Sequence, residues 1–232
     1  FVTKYDSDGT KLWTKQLGGT TLTEQALGVA TDSNNNVYIT GYTGGNLAGT
    51  GGGTSWDAFV TKYDSDGTKL WTKQLGTGGA EQAKGVSTDS NNNVYITGYT
   101  TGDLAGAVGG SDAFVTKYNS DGTLLWTKQL GTSSNERAYG VSTDSINNVY
   151  ITGQTKGDLA GTSGNYDAFV TKYDSDGTLQ WTKQLGTGVI DKAFGVATYD
   201  RVITNNSSFT TGETYTADTF ASKLSTDLVK TV

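Results

Sequence analysis

The chain contains no cysteine, histidine, proline or methionine among its 232 residues. Without cysteine it can form neither a disulfide nor a thiolate metal site. Without histidine it can build neither a Ser-His-Asp arrangement nor an imidazole metal site. Charged residues are also few, at 17%, and the net charge is −6. No nucleic-acid partner is expected, because binding to phosphates needs clustered Lys and Arg.

Long apolar runs are absent as well. No run approaches the roughly 20 residues that a membrane-spanning helix needs, so membrane insertion is not expected. Helical structure is disfavoured in the repeats, since the chain holds 33 Gly residues and shows no sustained 3.6-residue pattern.

What the chain does have is a repeat. The sequence Phe-Val-Thr-Lys-Tyr begins at Phe1, Phe59, Phe114 and Phe169. A period of about 55 residues is too long for a coiled coil or a β-helix rung, and it predicts propeller blades or a similar array.

One copy, residues 26–75, divides into four predicted strands, here called A to D. They are rich in β-branched and aromatic residues and are separated by two tight turns and two longer loops, which is typical of a propeller blade. The predicted strands cover residues 26–31, 37–42, 58–63 and 70–75. One tryptophan position is the same in all four copies, which predicts burial between blades; its members are Trp13, Trp71, Trp126 and Trp181.

The predicted fold is an all-β propeller of four-stranded antiparallel blades with about five blade positions. These are a half blade at the N-terminus, three complete blades and a degenerate blade at the C-terminus. The repeat boundaries lie at about 1–25, 26–82, 83–137, 138–192 and 193–232, in a single domain that we expect to be part of a longer protein.

An alternative is a closed four-bladed ring, in which the trailing A and B strands pair with the leading C and D strands. The remaining residues would then be a tail. The apolar residues Phe220, Leu224, Leu228 and Val232, at i, i+4 spacing, could form a short helix there.

Several linked segments recur in fixed order: Asp-Ala-Phe-Val-Thr-Lys-Tyr, an Asp-Gly turn, a Trp strand ending in Leu-Gly, and Gly-Val-x-Thr-Asp-Ser-x-x-Asn-Val-Tyr-Ile-Thr-Gly. This pattern resembles the bacterial β-propeller repeat family known as SBBP, strongly over about residues 1–198 and weakly beyond. The chain departs from it at Tyr199-Asp200-Arg201, where the Asp-Ser-Asn turn is lost. The resemblance implies a secreted or cell-surface protein and supplies no catalytic residues.

Acidic residues occupy equivalent positions just before strand A: Glu24, Glu81, Glu136 and Asp191. A ring of carboxylates could hold a cation or meet a basic partner; alternatively, these are exposed loop acids. Trp56 and Tyr166, just before strand C, are candidate ligand contacts on the same rim, or they cap the edge of the core. The predicted ligand-binding residues are these six.

The Asp-rich turns at Asp6, Asp64, Asp174 and Asp32 allow two interpretations. They could be calcium loops, but a calcium site needs six to eight oxygen ligands, so turn chemistry is favoured. The prediction is no metal site and no cofactor, with Ca²⁺ left open.

These observations favour a non-enzymatic, extracellular binding or scaffolding propeller that presents its loop rim to glycan or protein. No catalytic residue is predicted, because the acids repeat once per blade whereas a catalytic site needs a distinct pair. The alternatives are a fragment of a carbohydrate-active enzyme and a purely structural repeat of a surface layer or filament.

Overall fold

A computed structural model describes residues 1–18, 23–48, 55–106, 109–161 and 165–198. They belong to one compact unit, residues 1–200. Within the described ranges the regular elements are fourteen β-strands, and no helix there is long and apolar enough to cross a membrane. The predicted terminal repeat beyond residue 198, with its alternative helix at Phe220–Val232, lies outside the described residues.

The strands form one two-stranded sheet followed by three four-stranded sheets, all antiparallel. The first sheet contains β1 (Val2–Tyr5) and β2 (Lys11–Lys15). The second contains β3 (Glu24–Thr31), β4 (Val37–Thr43), β5 (Asp57–Tyr63) and β6 (Lys69–Leu75). The third contains β7 (Glu81–Thr88), β8 (Val94–Thr100), β9 (Asp112–Tyr118) and β10 (Leu124–Leu130). The fourth contains β11 (Glu136–Thr143), β12 (Val149–Thr155), β13 (Asp167–Tyr173) and β14 (Leu179–Leu185).

This order confirms the all-β prediction and the four-stranded blades, each with strands A to D in chain order. Ring closure and the count of five blade positions stay predictions. One element differs: residues 193–198 were expected to form another strand A but form no strand. A strand A pairs with the strand B of its own blade, and the sequence predicted for that strand, residues 209–214, lies outside the described residues.

The cores lie between neighbouring blades, because one blade cannot bury both of its faces alone. Tyr38 and Val60 of the first complete blade pack with Ile96, Phe114 and Tyr118 of the second. The second and third blades meet in an equivalent cluster around Tyr95 and Ile151, and the half blade covers Ile39 and Phe59 of the first.

In the half blade and the first two complete blades, a tryptophan and a lysine hold the turn between strands C and D of the next blade. Trp71 Nε1 donates to the Ser120 carbonyl at 3.1 Å, and Lys62 Nζ donates to the same oxygen at 3.0 Å. The same two-donor arrangement joins Trp13 and Lys4 to Ser65, and Trp126 and Lys117 to Ser175. We call it the tryptophan clamp.

The predicted burial of the tryptophans follows from this clamp. Trp13, Trp71 and Trp126 are partly buried against the following blade. Trp181 has no such turn against it among the described residues and is 38% exposed, so the burial prediction is wrong there.

The turn between strands A and B is organised by one buried carboxylate. Asp32 accepts hydrogen bonds from the Asn34 and Asn36 backbone N–H groups, the Asn36 amide and the Tyr38 hydroxyl, at 2.8 to 3.0 Å. Lys62 Nζ lies 3.7 Å away. Burial acts to raise the pKa of Asp32, but these hydrogen bonds outweigh it and the pKa lies below the ordinary value of 3.8. The predicted turn chemistry is therefore observed.

This lowered pKa predicts a pH-dependent contribution to stability. A carboxylate whose pKa is lower in the folded state stabilises the fold above its unfolded pKa, and this is lost as the pH falls. The difference in unfolding free energy between wild type and Asp32→Asn should therefore shrink between about pH 6 and about pH 3. Urea denaturation at stepped pH measures this difference.

Asp57 provides a control, because its pKa is shifted in the opposite direction from that of Asp32. It is buried at the start of β5 and accepts a hydrogen bond from Gln74 Nε2 at 2.7 Å. Burial raises the pKa of Asp57 more than this hydrogen bond lowers it. Its contribution is thus present at low pH and lost as the pH rises through the folded pKa. The unfolding free energy of wild type should therefore rise relative to that of Asp57→Asn as the pH falls. If the differences for Asp32→Asn and Asp57→Asn changed with pH in the same direction, the lowered pKa of Asp32 and the raised pKa of Asp57 could not both be correct.

Candidate functional site

Two of the four acids predicted to form a ring are buried and do not face solvent. Glu81 and Glu136 are 0% exposed and are the first residues of β7 and β11 rather than loop residues, so the expectation of exposed loop acids is wrong for both. Glu81 accepts from the Thr77 backbone N–H at 2.8 Å, and from the Thr77 and Thr100 hydroxyls at 2.6 Å. Glu136 has the same partners in Thr132 and Thr155. Each carboxylate therefore closes the loop that leads into its own strand A.

The outer two acids are held less completely. Asp191 accepts from the backbone and hydroxyl of Thr187, both at 2.8 Å. Glu24 lies 3.4 Å from the Thr43 hydroxyl. Both side chains are partly exposed. Ligand binding by the four acids stays a prediction, but the hydrogen bonds show that Glu81 and Glu136 already have partners inside the protein.

The backbones of the two aromatic candidates are hydrogen-bonded to two of these acids. The Trp56 carbonyl accepts from the Glu81 backbone N–H at 2.7 Å, and the Tyr166 carbonyl accepts from the Asp191 N–H at the same distance. The structure thus joins four of the six predicted residues into two pairs. Glu136 bonds instead to Ser111, which replaces the aromatic residue in the middle copy.

The other Asp-rich turns also show turn chemistry. Asp64 Oδ1 accepts from the Asp66 and Thr68 backbone N–H groups at 3.0 and 2.7 Å. Asp6 and Asp174 do the same in their copies. Across the described ranges, no group of three or more acidic side chains is arranged to hold a metal ion.

Each strand A of the three complete blades carries a β-bulge. The register with strand B slips between Ala26 and Gly28, between Ala83 and Gly85, and between Ala138 and Gly140. The extra residues are Leu27, Lys84 and Tyr139, so the copies differ in size and charge at the bulge although the neighbouring residues are small in each. A bulge redirects its side chain, and bulges are common beside functional sites.

Two bulge side chains and four neighbouring ones form a surface that we call the aromatic–cation strip: Lys84 and Tyr139 from the bulges, with Trp56, Tyr42, Tyr99 and Arg137. Trp56 and Tyr42 meet edge to face, with ring centroids 5.0 Å apart. Lys84 Nζ lies 5.2 Å from the Tyr42 centroid and 5.6 Å from that of Tyr99. The Arg137 guanidinium lies 4.6 Å from the Tyr99 centroid. All six side chains are partly exposed.

Burial and like charge shape the electrostatics of this strip. Burial lowers the pKa of Lys84, and the nearby Arg137 lowers it further. Burial raises the pKa of Tyr99 and of Tyr139, while the Arg137 charge acts in the opposite direction on both. Two cations therefore share one aromatic ring, and the Arg137 charge makes the Lys84 ammonium easier to deprotonate.

Sequence reasoning missed this strip. Arg137 directly follows the acid Glu136 in the sequence, but its guanidinium packs on Tyr99. The position of Tyr42 and Tyr99 is partly exposed in the first two complete blades, whereas its equivalent in the third, Gln154, is buried. The available signal was the change from Leu27 to Lys84 to Tyr139 at one position.

The comparisons with known proteins agree with the fold. The family model described as SBBP, beta-propeller repeat, matches residues 12–48, 70–105 and 125–160. Each match begins in strand D and extends into the loop between strands B and C of the next blade. The family resemblance predicted from the sequence is confirmed.

Two curated relatives are distant and much longer. The chain is 30% identical over 165 residues to an uncharacterized WD repeat-containing protein, L264, of Acanthamoeba polyphaga mimivirus, and this covers 58% of the chain. It is 27% identical over 188 residues to the regulatory protein FlaEY of Caulobacter vibrioides, covering 74% of the chain. The matches span 12% and 19% of those proteins. A solved structure of unknown function from Bacteroides caccae matches with a TM-score of 0.39 and 10% identity, over 77% of this chain and 72% of that one.

Proposed function

Since this chain belongs to the SBBP β-propeller repeat family, we propose that it is a non-enzymatic binding or scaffolding module that contacts another macromolecule through its aromatic–cation strip. The observation that carries the proposal is the bulge position. Leu27, Lys84 and Tyr139 differ between copies that are otherwise closely alike, and the latter two lie on one rim. A purely structural position would not need this variation.

The composition of the strip supports the proposal. Tyr, Trp and Arg are the residue types that contribute most to binding at protein interfaces, because they combine large contact area with hydrogen-bonding groups. Exposed aromatic side chains on loops and strand ends also suit carbohydrate contact. The names of the two relatives, a WD repeat-containing protein and a regulatory protein, state no reaction.

A secreted or cell-surface location is part of the same proposal and rests on the family resemblance. Detection of the chain in the culture medium or on intact cells, with a cytoplasmic marker absent from the same fraction, tests it. The enzyme alternative would require shortened products when the chain is incubated with a polysaccharide panel. The scaffold alternative would require self-assembly visible by sedimentation.

Binding through the strip can be tested with paired variants. Tyr42→Ser/Tyr139→Ser removes two aromatic rings from the strip, and Leu70→Ser/Leu125→Ser changes two exposed residues at the opposite end of the sheets. Each variant and the wild type are immobilised and exposed to panels of purified proteins and polysaccharides. The expected result is a saturable partner whose affinity falls about tenfold or more in the strip variant and stays unchanged in the other.

Circular dichroism and thermal denaturation establish that each variant is folded, and Tyr139→Ser alone replaces the pair if it is not. A partner that binds both variants like wild type, or that loses affinity only with Leu70→Ser/Leu125→Ser, would overturn the strip as the site. Failure of every panel member to bind would overturn the binding function.

A further inference from the structure

We propose that the partner presents an acidic, extended protein segment to the strip, with carboxylates bound by Lys84 and Arg137. This inference rests on the proposed binding function and specifies its ligand. The two cations lie over the same ring: Lys84 Nζ is 5.6 Å and the Arg137 guanidinium 4.6 Å from the centroid of Tyr99.

Neither cation is neutralised within the part of the chain that the structure describes. The ion pairs there join Lys62 to Asp32 and Lys117 to Asp89, at the far end of the sheets. Lys84 Nζ donates to the neutral Gln82 side chain at 2.9 Å. The nearest acids in sequence, Glu81 and Glu136, direct their oxygens to threonines. In a chain of net charge −6, two cations placed together without a carboxylate partner favour an anionic ligand.

The geometry favours an acidic peptide over an acidic sugar. Sugar rings are recognised by stacking on open aromatic faces, and the central rings of the strip already carry cations over their faces. Lys84 lies over Tyr42, and both Lys84 and Arg137 lie over Tyr99. Arg side chains bind carboxylates through two parallel hydrogen bonds, which flexible Asp or Glu side chains can reach without stacking.

An apolar contact lies next to the charged part of the strip. Phe194 is 68% exposed, and its ring lies 5.2 Å from that of Tyr139. Phe194 occupies the same repeat position as Lys84 and Tyr139. A segment whose acidic residues meet Lys84 and Arg137 would therefore find an apolar surface beside them, so we expect an aromatic or aliphatic residue next to the acidic run.

The test uses three probes on the whole chain: labelled hexaglutamate ending in phenylalanine, hexaglutamine ending in phenylalanine, and polygalacturonate. The variants are Lys84→Gln/Arg137→Gln and the matched control Lys11→Gln/Lys69→Gln, which removes the same charge from exposed positions at the opposite end of the sheets. Fluorescence anisotropy measures binding to the peptides at low and high salt, and competition with the labelled hexaglutamate measures binding of the polysaccharide.

We expect the hexaglutamate probe to bind wild type and the control alike, and Lys84→Gln/Arg137→Gln about tenfold or more weakly, since hydrogen bonds between charged groups are the strong ones. Binding should weaken with salt. Equal loss in both variants, or tighter binding of hexaglutamine or polygalacturonate, would overturn the proposal. A panel partner that depends on Tyr42 and Tyr139 but not on Lys84 and Arg137 would overturn this inference and leave the proposed function standing.

Discussion

Replacing Gly98 by alanine is expected to destabilise the second complete blade by about 3 to 5 kcal/mol, because a Cβ has no room there. An added Cβ would overlap the Gln82 carbonyl oxygen and lie 2.8 Å from the carbonyl carbon and 2.9 Å from Ala83 Cα. These are backbone atoms, so the clash cannot be relieved by a rotamer change. Strands A and B would have to separate, or the bulge at Lys84 would have to be lost.

Gly195→Ala is the matched control, because nothing lies within 4 Å of its ideal Cβ. Its stability should stay within about 1 kcal/mol of wild type. Chemical denaturation followed by tryptophan fluorescence compares the two variants. If Gly98→Ala were as stable as Gly195→Ala, the close approach of the two strands at the bulge would be wrong.

The second large effect is expected at the tryptophan clamp. Trp71→Ala should lower the free energy of unfolding by about 3 kcal/mol or more, since it removes a large, partly buried side chain. The loss includes the hydrogen bond to the Ser120 carbonyl and the edge-to-face contact with Tyr38, whose ring centroid is 5.9 Å away.

Trp181→Ala should cost less, about 1 to 2 kcal/mol, because the side chain is 38% exposed and donates to no turn carbonyl among the described residues. Trp181 does contact Tyr150 at 6.1 Å, which accounts for the remaining loss. Equal effects of Trp71→Ala and Trp181→Ala would contradict this difference and would indicate that residues beyond 198 supply a covering turn.

The sequence of the predicted terminal repeat also favours a smaller effect for Trp181→Ala than for Trp71→Ala. When residues 218–224 are aligned with the strand C sequence 57–63, Leu228 takes the position held by Gly67, Gly122 and Gly177. Gly122 has a φ of +81°, and an added Cβ would come within 3.0 Å of the Trp71 ring. Leucine is poorly suited to both conditions, since side chains other than Asn and Asp rarely adopt positive φ.

The strands could be predicted from the repeated sequence, but the contacts between blades could not. The turn residues Asp32 to Asn36 indicate a strand end, and the unvarying tryptophans indicate an interface, from the sequence alone. Trp71 donates to a carbonyl 49 residues away, and this hydrogen bond depends on how two blades pack. No local sequence pattern predicts that packing.

The site was less predictable for the same reason. Glu81 is an ordinary loop acid by sequence, and its burial depends on the hydroxyls of Thr77 and Thr100 converging on it. The bulge at Lys84 has no local signature either, because Gly98 allows it only once strands A and B are in register.

At the three junctions between described blades, the tryptophan clamp uses the same groups: two donors on one side and a serine carbonyl on the other. The interface between two blades is therefore the same at each junction, and each blade contacts only its nearest neighbours. Whole units can therefore be duplicated or deleted in evolution without leaving mismatched surfaces. Meanwhile the residue at the bulge differs between copies, so the number of units and the bulge side chain can change independently.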